Sequence, residues 1–160
     1  MGTVSGKYLT LFIGDEEYGI EIHKVQEIIA MMPITNVPNT SVDVCGVVNL
    51  RGKIIPVVSL RAKLGMMMVE HSRETCIVFV EGSRGTTGVI VDRVSEVVDV
   101  EESDLEPPPD FGDMESTKFL RGLGRNEESV RMLLDIDHIL RGGDEFSRFE
   151  DLSMASDGML

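Results

Sequence analysis

Tryptophan is absent from this 160-residue chain and the other aromatics are few, six Phe and two Tyr. A core must therefore be built from Val, Ile, Leu and Met. Only two cysteines occur, Cys45 and Cys76. They form no CxxC or metal-ligand spacing, and each lies in an apolar run, as a small buried hydrophobe of a reducing compartment does. No apolar run reaches the roughly 18 residues that span a bilayer. The first residues, MGTVSGK, lack the apolar stretch of a signal peptide, and Gly6 stands where a myristoylation motif needs Ser or Thr. Asn39-Thr40-Ser41 matches a glycosylation sequon, but without a secretion signal it reads as chance. The expected location is cytoplasmic. Basic side chains are scarce: 15 Lys and Arg against 28 Asp and Glu, a formal charge of −13. That excess argues against nucleic acid and anionic lipid as partners, since both require positive surface.

What is present is an ordinary folding composition, 42% hydrophobic and 27% charged, of a size for one domain or two very small ones. The negative charge is unevenly placed. Residues 96–115 carry nine acids and no base, and residues 142–160 carry five acids and one base, Arg148; the remainder is neutral.

The chain repeats itself. Residues 19–29 (GIEIHKVQEII) match residues 88–98 (GVIVDRVSEVV) at an offset of 69, which also lays residues 8–11 on 77–80. Residues 57–64 (VVSLRAKL) match residues 133–140 (LLDIDHIL) at an offset of 76, as does Gly46 with Gly122. The second copy thus holds seven extra residues, between 98 and 122, where the acidic run lies.

Each copy reads mainly as strand. Residues 8–13 and 75–80 are β-branched or aromatic runs, each followed by a turn and a second strand. Beyond that strand the apolar spacing shifts to three and four, at Ile22, Val25 and Ile29 and at Val91, Val94 and Val98, which predicts a short helical turn. Residues 46–51 and 54–59 flank Gly52-Lys53, a two-residue hairpin turn. Pro56 cannot donate to a ladder, so its strand is expected at an edge there. Residues 60–64 and 136–141 read as short closing helices. The expected architecture is all-β with short helices: one small β-barrel over residues 7–71, a second over 72–141, and a mobile acidic tail over 142–160. A barrel of 70 residues is marginal alone, so the two are expected to share an apolar interface. Met66, Met67 and Met68 fall in the connector, as adaptable core filler or as a partner-binding patch.

Catalytic and metal-binding patterns are missing. Gly46 to Lys53 resembles a phosphate loop, but the spacing is one residue too long and Ile54 stands where Ser or Thr would hold magnesium. There is no Gly-x-Ser-x-Gly elbow, no His-Glu-x-x-His, and no Asp-Thr/Ser-Gly loop; His23, His71 and His138 lie at unrelated points. The acidic run lacks EF-hand spacing and reads as a solvated face. A small hydrolase using clustered acids therefore has no motif behind it, and neither a metal nor a cofactor is expected. The odd feature is polar groups inside apolar strands. Asn49 and Arg51 fall on one face of the strand 46–51, opposite Val48 and Leu50, and Glu27 is set between apolar residues. Arg51 and Glu27 are either solvated independently or paired.

GDEEYGI at residues 14–20, KVQEI at 24–28, VNLRG at 48–52 and IPVVSLR at 55–61, together with VDRVSEV at 91–97 and LRGLG at 120–124, closely resemble the CheW family of chemotaxis coupling proteins. The resemblance covers roughly residues 7–141 in order and at family spacing. It implies two five-stranded SH3-like barrels, no catalytic activity, and an adaptor. Such adaptors link the cytoplasmic tips of chemoreceptors to the regulatory domain of the histidine kinase CheA in membrane-associated arrays, in a chemotaxis pathway or in another, such as pilus-based motility. It further implies that Val25, Glu27, Arg51, Gly88 and Val97 lie at or beside a receptor-binding groove, with Glu27 and Arg51 salt-bridged. Ile34, Val37 and Ile54 would make the main hydrophobic kinase contact. Glu106 and Phe111 would fall where a second contact completes rings with the kinase or with further copies; some members carry a base at the position of Glu106. Apart from Val97, the receptor positions lie outside the acidic segments, which are expected to aid solubility and to tune the ring contact.

Overall fold

The computed structural model describes residues 5–83, 85–108 and 118–140. These form eleven strands: β1 (Gly6–Ile13), β2 (Glu16–Glu21), β3 (Val25–Ala30), β4 (Val44–Leu50), β5 (Lys53–Ser59), β6 (Cys76–Gly82), β7 (Gly85–Val91), β8 (Arg93–Val100), β9 (Leu105–Glu106), β10 (Leu120–Arg125) and β11 (Val130–Leu134). Two short helices, α1 (Leu60–Lys63) and α2 (Ile136–Leu140), and 3₁₀ turns at Ile22–Lys24 and Glu102–Asp104 complete the described chain. Both helices begin as the sequence predicts and are capped at repeat-equivalent positions. Ser59 Oγ accepts the N–H of Ala62 at 3.3 Å and Asp135 Oδ1 that of His138 at 3.1 Å, each satisfying an otherwise orphaned donor.

The strands make two sheets, ordered β8-β1-β2-β11-β10-β9 and β3-β6-β7-β5-β4. The division expected at residue 71 is not where they separate. The β1–β2 hairpin of the first copy joins β8 to β11 of the second, while β6 and β7 of the second join β3 to β5 of the first. The exchange has a physical basis in the repeat. β2 pairs in parallel with β11 (Gly19 opposite Leu133), and β7 pairs in parallel with β5 (Gly88 opposite Val57). Parallel partners cannot be joined by a tight hairpin, so each is recruited from the other copy.

Of the helical turns expected over residues 22–29 and 91–98, the first forms in part, as the 3₁₀ turn Ile22–Lys24, while residues 25–29 and 94–98 belong to strands β3 and β8. The spacing of three crosses the 3₁₀ turn in one copy and the bend at Asp92 in the other, and the spacing of four is two periods of a strand. Both strands carry a register shift, at Gln26 in β3 and at Ser95-Glu96 in β8. In β8 the buried Thr10 repairs the ladder: its hydroxyl donates to the Glu96 carbonyl at 2.8 Å and accepts the Glu96 N–H at 3.1 Å. Pro56 lies in an internal strand, but its parallel ladder with β7 begins at Val57, so the missing N–H interrupts no pair on that side.

The largest apolar cluster is shared between the sheets. Leu9, Leu11, Ile13 and Ile20 of the first sheet meet Val58, Val78, Val80, Val89 and Val91 of the second, closed over by Leu60 of α1 and Ile136, Ile139 and Leu140 of α2. A second cluster, Val48, Ile55, Val57, Ile77, Phe79 and Ile90, fills the other face of the second sheet. Both faces of β6 and β7 are thus buried, which is why these strands read as continuous apolar runs. Each buried aliphatic side chain contributes roughly 1.5–3 kcal/mol, and the shared cluster makes the two sheets one folding unit.

Candidate functional site

β3 and β4 stand at opposite ends of the second sheet's order, yet two contacts bring them together. Beyond β3, Thr35 exchanges backbone hydrogen bonds with Val47 of β4, at 2.8 and 2.9 Å. Gly46 permits this approach: a Cβ there would lie 2.1 Å from the Thr35 carbonyl oxygen, on a backbone with φ of 142°. The second contact is a fork between Arg51 and Glu27. Arg51 Nη1 donates to Glu27 Oε2 at 2.9 Å and Nη2 donates to Oε1. The sheet therefore curls on itself, and the pair joins its two edges.

The β4–β5 turn is Arg51-Gly52, between the paired Leu50 and Lys53, one residue earlier than the sequence reading placed it. Arg51 and Gly52 both hold positive φ, 52° and 86°, as a type I′ turn requires. Asn49 Oδ1 accepts the Gly52 N–H at 2.8 Å, and the fork holds Arg51 in a conformation that a non-glycine residue rarely takes. Arg51 thus leaves the strand face assigned to it and projects from the hairpin tip. Its side chain is 69% exposed and that of Glu27 29%. The guanidinium's hydrogen bonds hold the Glu27 carboxyl below its ordinary value, and the carboxylate raises Arg51 in turn; the pair stays charged through the neutral range.

Of the expected receptor positions, Val25, Glu27 and Val97 fall on β3 and β8, one edge strand from each sheet. Val25 is half-buried against the shared core, whereas Val97 is 49% exposed. Gly88 departs from a groove residue: it is buried in mid-β7, where a Cβ would lie 2.8 Å from Ile77 Cγ2, 3.1 Å from Phe79 Cε1 and 3.2 Å from Val57 Cγ2. Its role is to let β5 and β6 close around β7. Of the expected kinase positions, Ile54 is 60% exposed beside the Arg51 turn, Val37 is half-buried, and Ile34 packs partly against the second cluster. Glu106 is exposed on β9 and paired with Arg125; Phe111 and the tail 142–160 lie outside the described residues.

Four exposed apolar residues escaped the sequence reading, Ile28, Val42, Val69 and Val130. Ile28 on β3, 43% exposed, is the repeat-mate of Val97 at an offset of 69; Val130 at the start of β11, 47% exposed, is that of Ile54 at an offset of 76. Repeat offsets were the signal that could have found Ile28 and Val130. Four of the exposed large apolar side chains among the described residues thus form two equivalent pairs, one on the edge strands and one at the hairpin tips, while Val42, Met67, Met68 and Val69 stand outside them. Val130 borders a cleft of about 750 Å³ lined by Phe12, Leu120, Leu123 and Met132 and rimmed by acids including Asp15 and Glu96. Met67 and Met68 are 84% and 54% exposed, while Met66 packs on the core, so the methionine run divides between its two readings. Among the described residues no three His, Cys, Asp or Glu side chains gather as metal ligands.

A CheW-like domain model matches residues 7–143. The chain is 36% identical to "Chemotaxis protein CheW" of Klebsiella aerogenes over 86% of its length and 83% of that protein. It is 33% identical to the protein of the same name from Rhizobium meliloti, over 86% of this chain and 89% of the relative. The crystal structure of the scaffolding protein TtCheW from Thermoanaerobacter tengcongensis superposes with a TM-score of 0.77 at 31% identity, covering 84% of this chain and 92% of that one.

Proposed function

This chain belongs to the CheW-like domain family, and from that premise we propose that it is a non-enzymatic adaptor coupling chemoreceptor cytoplasmic tips to the regulatory domain of the histidine kinase CheA. The observation that carries the reading is the paired exposure of apolar residues on a rigid scaffold: Ile28 with Val97, and Ile54 with Val130. Receptor binding is assigned to the edge-strand face. There Val97 and Ile28 supply apolar anchors for a helix, with Val25 beneath, and the Glu27–Arg51 fork supplies charged neighbours that set its register. Kinase binding is assigned to the hairpin tip at Ile54, with Val37 and the half-buried Ile34 beside it. Val130 and Glu106 mark the equivalent tip of the other sheet, suited to a ring contact with the kinase or a second copy. A contact of about 800 Å² per partner is ordinary for such modules, and regulation needs a coupling of only roughly 1–3 kcal/mol between sites. The Glu27–Arg51 fork ties β3, on the proposed receptor face, through side chains to the turn that precedes Ile54.

Mixing the protein with a receptor cytoplasmic fragment and CheA tests the proposal. A ternary complex with altered kinase activity is expected, and the absence of any complex at micromolar concentrations refutes it. Co-purification from a lysate identifies which receptor and kinase it serves.

A further inference from the structure

Two contacts close the second sheet, the Thr35–Val47 bridge and the Glu27–Arg51 fork, and the repeat carries only one of them into the first sheet. Glu106 of β9 stands opposite Leu123 of β10 as Thr35 stands opposite Val47, and Leu123 is the repeat-mate of Val47 at an offset of 76. The fork has no such counterpart. Glu27 is matched by Glu96 of β8 at an offset of 69, but Arg51 is matched by Glu127, in the β10–β11 turn, at an offset of 76. Two carboxylates supply acceptors and no donor, and like charges brought together repel. The place that a salt bridge fills in one copy therefore holds two acids in the other.

The cleft of about 750 Å³ lies at this unlatched place. It runs from Glu96 of β8 to Asn126 and Ser129, which flank the Glu127-Glu128 turn, over an apolar floor that includes Phe12, Leu123 and Met132. Its acids are not balanced. Asp15, Glu16 and Glu96 line it with no ion pair among the described residues, whereas Arg131 in its wall is held by Glu17 at 3.2 Å and Arg93 stacks on Phe12 at 3.8 Å. An apolar floor under an acidic rim is complementary to a cation carried on an apolar segment. We propose that this cleft is the docking site for an arginine-bearing apolar segment of a partner protein. Its guanidinium sits between Glu96 and Glu127, in the role that Arg51 fills for Glu27, and a neighbouring leucine side chain rests on Leu123 and Met132. Arginine suits the place better than lysine because its planar fork of donors meets carboxylates at two points. A second copy of this chain does not fit, since it carries a charge of −13 and its own Arg51 is already forked. Val130 stands at the cleft's lip, so the site adjoins the ring contact assigned above and adds the chemistry its partner must carry. The test uses neither receptor nor kinase, so its failure leaves the adaptor reading standing.

The probe is the capped peptide Leu-Arg-Leu-Arg-Leu, titrated into the full chain beside its citrulline analogue, which keeps the shape and loses the charge. Nuclear magnetic resonance should show saturable shifts at the methyls of Leu123, Val130 and Met132 and at the Glu96 amide, with the citrulline peptide bound about fivefold more weakly. The Glu96→Gln/Glu127→Gln variant changes two exposed side chains, so it should keep the wild-type Tm and bind both peptides alike. No saturable shift at millimolar peptide overturns the proposal. So does an arginine preference that survives the double substitution, or a set of shifts centred on Ile28 and Val97. Contacts from residues 109–117 to the Leu123 methyls in the free protein also overturn it, because the chain then fills its own cleft.

Discussion

Replacing Gly88 with alanine separates a packing role from a binding role. The new methyl would sit 2.8 Å from Ile77 Cγ2 and within 3.2 Å of Phe79 and Val57. All three neighbours are fully buried side chains, and Ile77 Cγ2 is a β-branch methyl rather than the free end of a flexible chain. Overpacking of this kind costs about 1–3 kcal/mol. Reduced freedom of the unfolded chain offsets about 0.4–1 kcal/mol, which leaves a net loss of roughly 0.5–2 kcal/mol. For a domain of this size that is a drop in Tm of about 1–8 °C. Scanning calorimetry reads the shift, and urea unfolding should show a lower midpoint at unchanged slope. Gly19 and Gly124 supply an internal scale. The nearest atom to a Cβ at Gly19 is Leu133 Cδ2 at 3.0 Å, at the end of a flexible side chain, and at Gly124 nothing lies closer than 3.6 Å. Losses should therefore rank Gly88, then Gly19, then Gly124. A Gly88→Ala protein with wild-type Tm and lost receptor binding would refute the packing account and return Gly88 to the binding surface.

Arg51→Asn keeps a turn residue suited to positive φ and removes the fork; its Tm should equal or exceed wild type while binding to a receptor fragment weakens, and a large fall in Tm would make the pair structural. Asp92 accepts from Arg61 Nε at 3.0 Å and Nη2 at 2.5 Å and from the Gly14 N–H at 2.7 Å. The Arg61 hydrogen bonds, opposed by burial and aided by Gly14, hold its carboxyl below the ordinary value. A depressed carboxyl stabilises the fold above the unfolded value, near pH 4, and that stability is lost as pH falls further. Asp92→Asn should thus cost about 1 kcal/mol at neutral pH, given partial solvent screening, with the two stability curves converging below about pH 4. Ile54→Ser and Val130→Ser should each stay within about 0.5 kcal/mol of wild type in stability; pull-down should show the first weakening the kinase contact and the second the ring contact.

Most of the strands, the closing helices and the family were legible in the sequence, because alternation, caps and repeat offsets are local or pairwise signals, whereas β3 and β8 were read as helical turns. The Glu27–Arg51 choice was not legible. Its two residues are 24 apart, and only the curl of the second sheet decides that they meet. Gly88 shows the same limit: a glycine shared between copies announces a close approach, but whether to a partner or to the chain itself depends on what stands beside β7. Where the repeat was read as two consecutive barrels, tertiary structure exchanged the hairpins, since parallel β2–β11 and β5–β7 pairings need partners far apart along the chain. Sequence alone thus determined which residues are apolar, where the chain turns and which family it joins. The sheet pairing decided which of those apolar residues are covered, because burial depends on neighbours supplied from the other copy.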